Sequence, residues 1–218
     1  MKQLLTALFC CIFTMFFSQK TYQFDYFISC EAKENTKNKK NEKKNVDEFL
    51  YDSKSKQELN FRVFNSEVTG QIVDIKDEIS HVFDVDAKNS NPVFEYKYSS
   101  KFKNSKSTLN QKNVFEIKKI DSLNYKILVF QNQKRKNIDW EIEVALEEGS
   151  FEWIHLEMHY NRRDELEQKL RSLLNKDKKY IIKKISLTDP YRFERTFEIK
   201  KIQNVDFTLQ VPKEQILN

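Results

Sequence analysis

V-F-E-I-K-K-I-D-S-L-N-Y-K-I-L-V-F, residues 114–130, reads as two strands folded back about a turn. Phe115 and Ile117 alternate with charged neighbours, Asp121-Ser122 supply turn chemistry, and Leu123, Tyr125, Ile127 and Val129 return at period two. Successive strand side chains point to opposite faces, so this rhythm buries one set and wets the other, as in a half-exposed antiparallel sheet.

The rhythm extends in both directions. Upstream, Tyr22, Phe24, Tyr26, Ile28 and Cys30 share one side of an extended segment. Leu59, Phe61 and Val63 follow, then Ile72-Val73 and Ile75 after Gly70, Ile79 to Val85, and Phe94, Tyr96 and Tyr98. Downstream, Lys134-Arg135-Lys136 mark a turn before Trp140, Ile142 and Val144. Glu147 to Ser150 turn into Phe151–His159, and strands resume at Tyr180–Leu187. The turn Thr188-Asp189-Pro190 leads to Phe193, Phe197 and Ile199, and Val205, Phe207, Leu209 and Val211 close the series before Pro212.

One segment changes period. Leu166, Leu170, Leu173 and Leu174 fall at i, i+4, i+7 and i+8, a single apolar stripe that predicts an amphipathic helix near 162–176. Asn161 is the candidate N-cap, Asp164 and Glu165 sit where carboxylates favour the positive helix end, and Lys176, Lys178 and Lys179 crowd the other end. The stripe lacks aromatic anchors, so the helix is expected on a sheet and not on a membrane. The predicted fold class is mainly β (α+β): a curved antiparallel sheet or half-barrel of about ten strands with one amphipathic helix packed on it.

Composition narrows the chemistry. The chain has 218 residues but only two glycines, Gly70 and Gly149, which excludes a glycine-rich phosphate loop, a dinucleotide fingerprint and a nucleophile elbow. The 18 phenylalanines and nine tyrosines supply a core although mean hydropathy is −0.72. Lysine plus arginine number 38 against 33 acids, a net charge of +5. Abundant Lys, Asn, Ile and Phe with little Gly and Pro suggest an AT-rich bacterial genome, so part of the lysine excess reflects codon usage.

The N-terminus carries an address. In M-K-Q-L-L-T-A-L-F-C-C-I-F-T-M-F-F-S, residues 1–18, Lys2 precedes an apolar run from Leu4 to Phe17. That run is too short to span a bilayer and ends at a small residue, the pattern of a secretory signal peptide cut after Ser18, with an uncleaved anchor as the rival. The expected organisation is a signal peptide over 1–18 and a single β-rich domain over 19–218, exported to the periplasm or secreted, without a transmembrane span in the mature chain. Cleavage removes Cys10 and Cys11 and leaves Cys30, so no internal disulfide or cysteine-based zinc site can form. Cys30 lies in line with aromatic core positions and reads as a small buried hydrophobe, the rivals being a disulfide between chains or a reactive thiol. Residues 33–45, K-E-N-T-K-N-K-K-N-E-K-K-N, contain no apolar side chain and read as a disordered, solvated Lys/Asn-rich loop. Nearby Glu31, Glu34 and Glu42 dilute its charge and no aromatic is interleaved, which argues against nucleic acid.

Three histidines exist, His81, His155 and His159. In a strand, His155, Glu157 and His159 would project from one face with Trp153 beside them, a donor set suited to zinc, while Ile154, Leu156 and Met158 would enter the core. The competing reading is the wet face of an ordinary strand. No serine has an activating context, and paired carboxylates such as Glu141/Glu143 carry no information among 33 acids.

F-S-Q-K-T-Y-Q-F-D-Y (Phe17–Tyr26) and V-D-F-T-L-Q-V-P (Val205–Pro212) resemble the start and finish of small secreted envelope proteins of Gram-negative bacteria, a signal peptide followed by a β-rich domain. The expected architecture is also similar to that of the lipoprotein carriers (LolA-like), a resemblance that implies carriage of an apolar ligand and assigns no residue. The resulting expectation is a non-enzymatic exported protein that binds an apolar ligand or an envelope protein through an aromatic-rich sheet. The rivals are a metal-binding protein or metal-dependent enzyme centred on His155, Glu157 and His159, and a structural or adhesive surface domain.

Overall fold

The computed structural model describes residues 19–36, 43–86, 92–102, 113–156, 163–189, 193–212 and 216–217. Among them are β1 (Gln19–Thr36), β2 (Lys43–Tyr51), β3 (Glu58–Phe64), β4 (Glu67–Asp74), β5 (Ile79–Asp86), β6 (Val93–Lys101), β7 (Val114–Lys119), β8 (Asn124–Phe130) and β9 (Ile138–Glu148). A helix, α1 (Arg163–Ser172), precedes β10 (Tyr180–Thr188), β11 (Phe193–Pro212) and β12 (Ile216–Leu217). The strand order is β12-β6-β5-β4-β3-β2-β1-β11-β10-β9-β8-β7. The sheet is antiparallel and not closed, apart from β12, which runs parallel to β6. The fold is therefore mainly β with one helix, as the alternation predicts.

The opening hairpin forms as read. Phe115 pairs with Val129 and Ile117 with Ile127, and the Asp121 carboxylate accepts the Leu123 and Asn124 N–H groups, both at 2.9 Å. One stretch read as a loop from its composition differs. β1 continues to Thr36 and β2 begins at Lys43, so strand covers residues 33–36 and 43–45 of the stretch expected to be a loop. Residues 37–42, like the segment 1–18 read as a signal peptide, lie outside the described residues.

Chain contacts divide the protein into two compact units, one from residues 1–27, 49–104 and 203–218, the other from 28–48 and 105–202. In the first unit the core is Tyr22, Phe24, Leu50, Leu59, Ile72, Phe83, Leu209 and Val211, ringed by Phe27, Phe61, Phe94, Tyr96, Val205 and Phe207. Strands far apart in the pairing order meet here: Phe94 of β6 lies 4.9 Å, ring to ring, from Phe207 of β11. Pro212 and Ile216 are four Cα steps apart, a reach of at most about 14 Å. The strands of this unit thus roll round a filled aromatic interior. Gly70 belongs to it: a Cβ there would stand 3.1 Å from Leu59 Cδ1.

In the second unit, β8, β9, β10 and the first half of β11 stack rows of apolar residues. Ile142 pairs with Ile127 and Leu187, and Val144 with Tyr125 and Ile185. α1 buries Leu166 and Leu170 fully, with Leu174 just beyond it, and its Lys169 and Arg171 lie over the rings of Phe115 in β7 and Tyr180 in β10. Cys30 is also buried here, where its alternation placed it. The helix is shorter than predicted, and Leu173 does not join the stripe but is 48% exposed. The helix ends at Ser172, before Leu173, and the N–H groups of Leu173 and Leu174 donate only three residues back, to Leu170 and Arg171. Asn161, the candidate N-cap, lies outside the described residues.

Candidate functional site

The predicted metal centre is only partly in view. Residues 157–162, with Glu157 and His159, lie outside the described residues, so the set is neither assembled nor dispersed. Its strand premise is overturned for residues 151–156. They follow an irregular path held to β10 by one bridge, Trp153 to Ile181, with N–H groups of Trp153 and Ile182 bonded to carbonyls of Tyr180 and Trp153. Side chains in such a path need not alternate, so Trp153 and Leu156 are both buried, where a strand would have put Trp153 on the wet face. His155 stacks on Trp153 at 5.9 Å and its Nδ1 lies 4.0 Å from Glu167 of α1. Glu167 accepts the Leu156 N–H at 2.7 Å. Burial pushes its carboxyl above the ordinary range against that bond and the charges of His155 and Arg163. Among the described residues no three metal-type side chains converge.

The densest polar cluster is in the first unit, around the third histidine. Asp74, His81 and Ser99 are buried, at 6, 4 and 2% exposure, and Tyr22 at 6%. The Lys20 ammonium donates to Asp74 Oδ2 at 2.5 Å and also pairs with Asp77, whose own N–H donates to Asp74 Oδ1 at 3.1 Å. Tyr22 OH lies 3.0 Å from Asp74 Oδ2 and 2.9 Å from His81 Nε2. His81 Nδ1 lies 2.6 Å from Ser99 Oγ, which lies 2.8 Å from Tyr96 OH.

With His81 neutral, donor and acceptor counts fix the direction of this chain. An ionised carboxylate only accepts, so the single Tyr22 hydroxyl proton goes to Asp74. The Tyr22 oxygen then accepts from His81, which places the imidazole proton on Nε2. Nδ1 is left to accept the Ser99 hydroxyl, and Ser99 in turn accepts from Tyr96. Each proton is used once.

The electrostatics agree. Burial opposes the Asp74 charge, but Lys20, the Asp77 N–H and Tyr22 outweigh it and hold the carboxyl below its ordinary range. Burial, then the Lys20 charge, press His81 below its ordinary value against the pull of Asp74 and Asp77. Burial and the Asp74 charge lift the Tyr22 phenol above its usual range. Lys20, despite burial, is held above the lysine range by Asp74 and Asp77.

The sequence reading left this cluster unremarked, although it carries a signal. Tyr22 has the parity of Phe24, Asp74 that of Ile72, and His81 that of Phe83 and Val85, so polar groups occupy positions that the alternation assigns to the core. Ser99 carried no such signal. Val82 pairs with Tyr98 but Phe83 with Tyr96, a bulge at Lys97 that reverses the parity of β6. Ser99 is thereby turned inward, and Tyr98, expected with Phe94 and Tyr96, is 38% exposed.

A serine bonded to a histidine suggests hydrolysis, but burial of both groups gives a substrate no access. Two surface depressions among the described residues are open and charged. One, about 510 Å³, is lined by Glu67, Asp84, Asp86 and Lys97 with Ser66, Val68 and Val85; the other, about 410 Å³, includes Asp121, Glu143 and Lys184. No helix among the described residues is long and apolar enough to cross a membrane. Neither a protein-family model nor a curated protein matches the chain.

Proposed function

We propose that this is an exported, non-enzymatic binding protein of the bacterial envelope that takes a partner protein as an added strand. The observation carrying this reading is the outer side of β6. Among the described residues, its nine are met there by two, Ile216–Leu217 of β12, opposite Ser99 and Ser100. An edge with free backbone donors and acceptors is a template for an incoming chain. Val93 and Tyr98, 60 and 38% exposed, flank it with apolar side chains. Packing of the aromatics against one another in the first unit favours a protein partner over a carried apolar ligand. Export rests on the basic start and short apolar run of residues 1–18.

The test is site-specific photo-crosslinking in a Gram-negative host expressing the full chain. A photoreactive residue at Glu95 on β6 is expected to capture a defined envelope protein, and one at Lys126 on β8 is not. N-terminal mapping is expected to find Gln19. No product from Glu95, or equal products from both positions, overturns strand addition. An intact N-terminus in the cytosol overturns export, and co-purified lipid or stoichiometric zinc on native mass spectrometry returns the carrier or metal reading.

A further inference from the structure

We propose that the chain Lys20–Asp74–Tyr22–His81–Ser99–Tyr96 is a proton-sensitive clasp: it fastens the start of β1 to β4, β5 and β6 while His81 is neutral, and lets the first unit loosen ahead of the second when His81 takes a proton. The proposal stands on the geometry of the first unit and is independent of the partner reading.

β1 does not neighbour β4, β5 or β6 in the strand order. Its first residues reach those strands through side chains, and the Tyr22 hydroxyl bonds both Asp74 and His81. The groups facing His81 are Lys20 and Tyr22 from β1, Asp74 from β4, Asp77 from the following turn, and Ser99 and Tyr96 from β6. In the neutral state every proton has an acceptor. Protonation adds an N–H at Nδ1, where the Ser99 hydroxyl already donates from 2.6 Å. The Ser99 oxygen must then accept that proton and turn its own hydroxyl toward Tyr96, which reverses the donor order along the chain. The new cation also shares the cluster with the Lys20 ammonium, while Asp74 is already engaged by Lys20, the Asp77 N–H and Tyr22. Burial of His81 and Ser99, at 4 and 2% exposure, keeps water from solvating the added charge. His81 is the single histidine of the first unit, since His155 and His159 belong to the second.

The sign follows. A histidine held below its ordinary value in the folded state takes up its proton more readily when unfolded, so stability falls as pH drops below about 6.5. Asp74, also depressed, contributes its own loss only further down, below about 3.8.

The experiment is residue-resolved NMR on the isotope-labelled protein. Ring nitrogen shifts are expected to show His81 as the neutral Nε2–H tautomer, still neutral at about pH 6.5. Amide protection of residues 20–24 and 80–83 is expected to fall severalfold, up to about tenfold, relative to that of Ile127 and Val144 between roughly pH 7.5 and 5.5. His81→Gln is expected to remove that differential. An Nδ1–H tautomer, half-protonation of His81 at or above the ordinary value, or parallel loss of protection in both units overturns the proposal on the unsubstituted protein alone.

Discussion

At the scale of single residues, the Tyr22 hydroxyl is the hinge of the buried cluster, because it satisfies Asp74 and His81 together. Tyr22→Phe keeps the ring in the aromatic core and removes only that oxygen. It strands the His81 Nε2–H, and the expected cost is about 1–3 kcal/mol, read as a lower urea midpoint with an unchanged slope. The same cluster sets an alkaline limit. Tyr22 and Lys20 are both held above their ordinary ranges, so the unfolded chain gives up these protons first. Their contribution is present below about pH 10 and is lost as pH rises beyond it. Melting temperature is expected to fall above that pH in the unsubstituted protein and less steeply in Tyr22→Phe. Gly149 is the second sensitive point. Its N–H donates to Lys179, and a Cβ would sit 2.4 Å from Ile181 Cδ1 and 2.7 Å from Cγ1. Ile181 is 3% exposed and has little room to move, so Gly149→Ala is expected to destabilise by about 1–3 kcal/mol in thermal unfolding.

At the scale of elements, α1 shows how a stripe becomes a contact. Asp164 and Glu165 occupy its first turn and Lys169 and Arg171 its last, each complementary to the adjacent end of the helix dipole. Lys169 also lies over the Phe115 ring of β7 at 5.4 Å. The stripe is split: Leu170 is fully buried and Leu173 is not. Leu170→Ala is expected to cost about 2–5 kcal/mol by urea unfolding, whereas Leu173→Ala stays within about 0.5 kcal/mol. Equal effects would mean that the helix continues through Leu173 with the predicted geometry.

At the scale of the whole molecule, the pairing order governs kinetics. The chain returns in β11 to pair beside β1, far away in sequence, and such closures cost chain entropy before any contact repays it. Refolding is therefore expected in about milliseconds to seconds, as for other β-rich topologies, and a microsecond phase carrying the full amplitude would contradict it. Both tryptophans, Trp140 and Trp153, belong to the second unit. Stopped-flow tryptophan fluorescence reports that unit, and tyrosine signals are needed to follow the first.

The strands, the one helix and the inward parity of Tyr22, Asp74 and His81 were legible in the sequence, because period and propensity are properties of neighbours along the chain. The irregular path before the His155–His159 segment was not legible for a related reason. Residues 151–156 alternate in type but not in structure, since contacts with β10 bury Trp153 and Leu156 together. The sequence by itself determined which side chains would seek a core. Only the tertiary structure decided which polar groups would meet inside it, because the bulge at Lys97 turns Ser99 inward beside His81 and the rolling of the first unit brings Tyr22 of β1 to Asp74 and His81, on strands it does not neighbour.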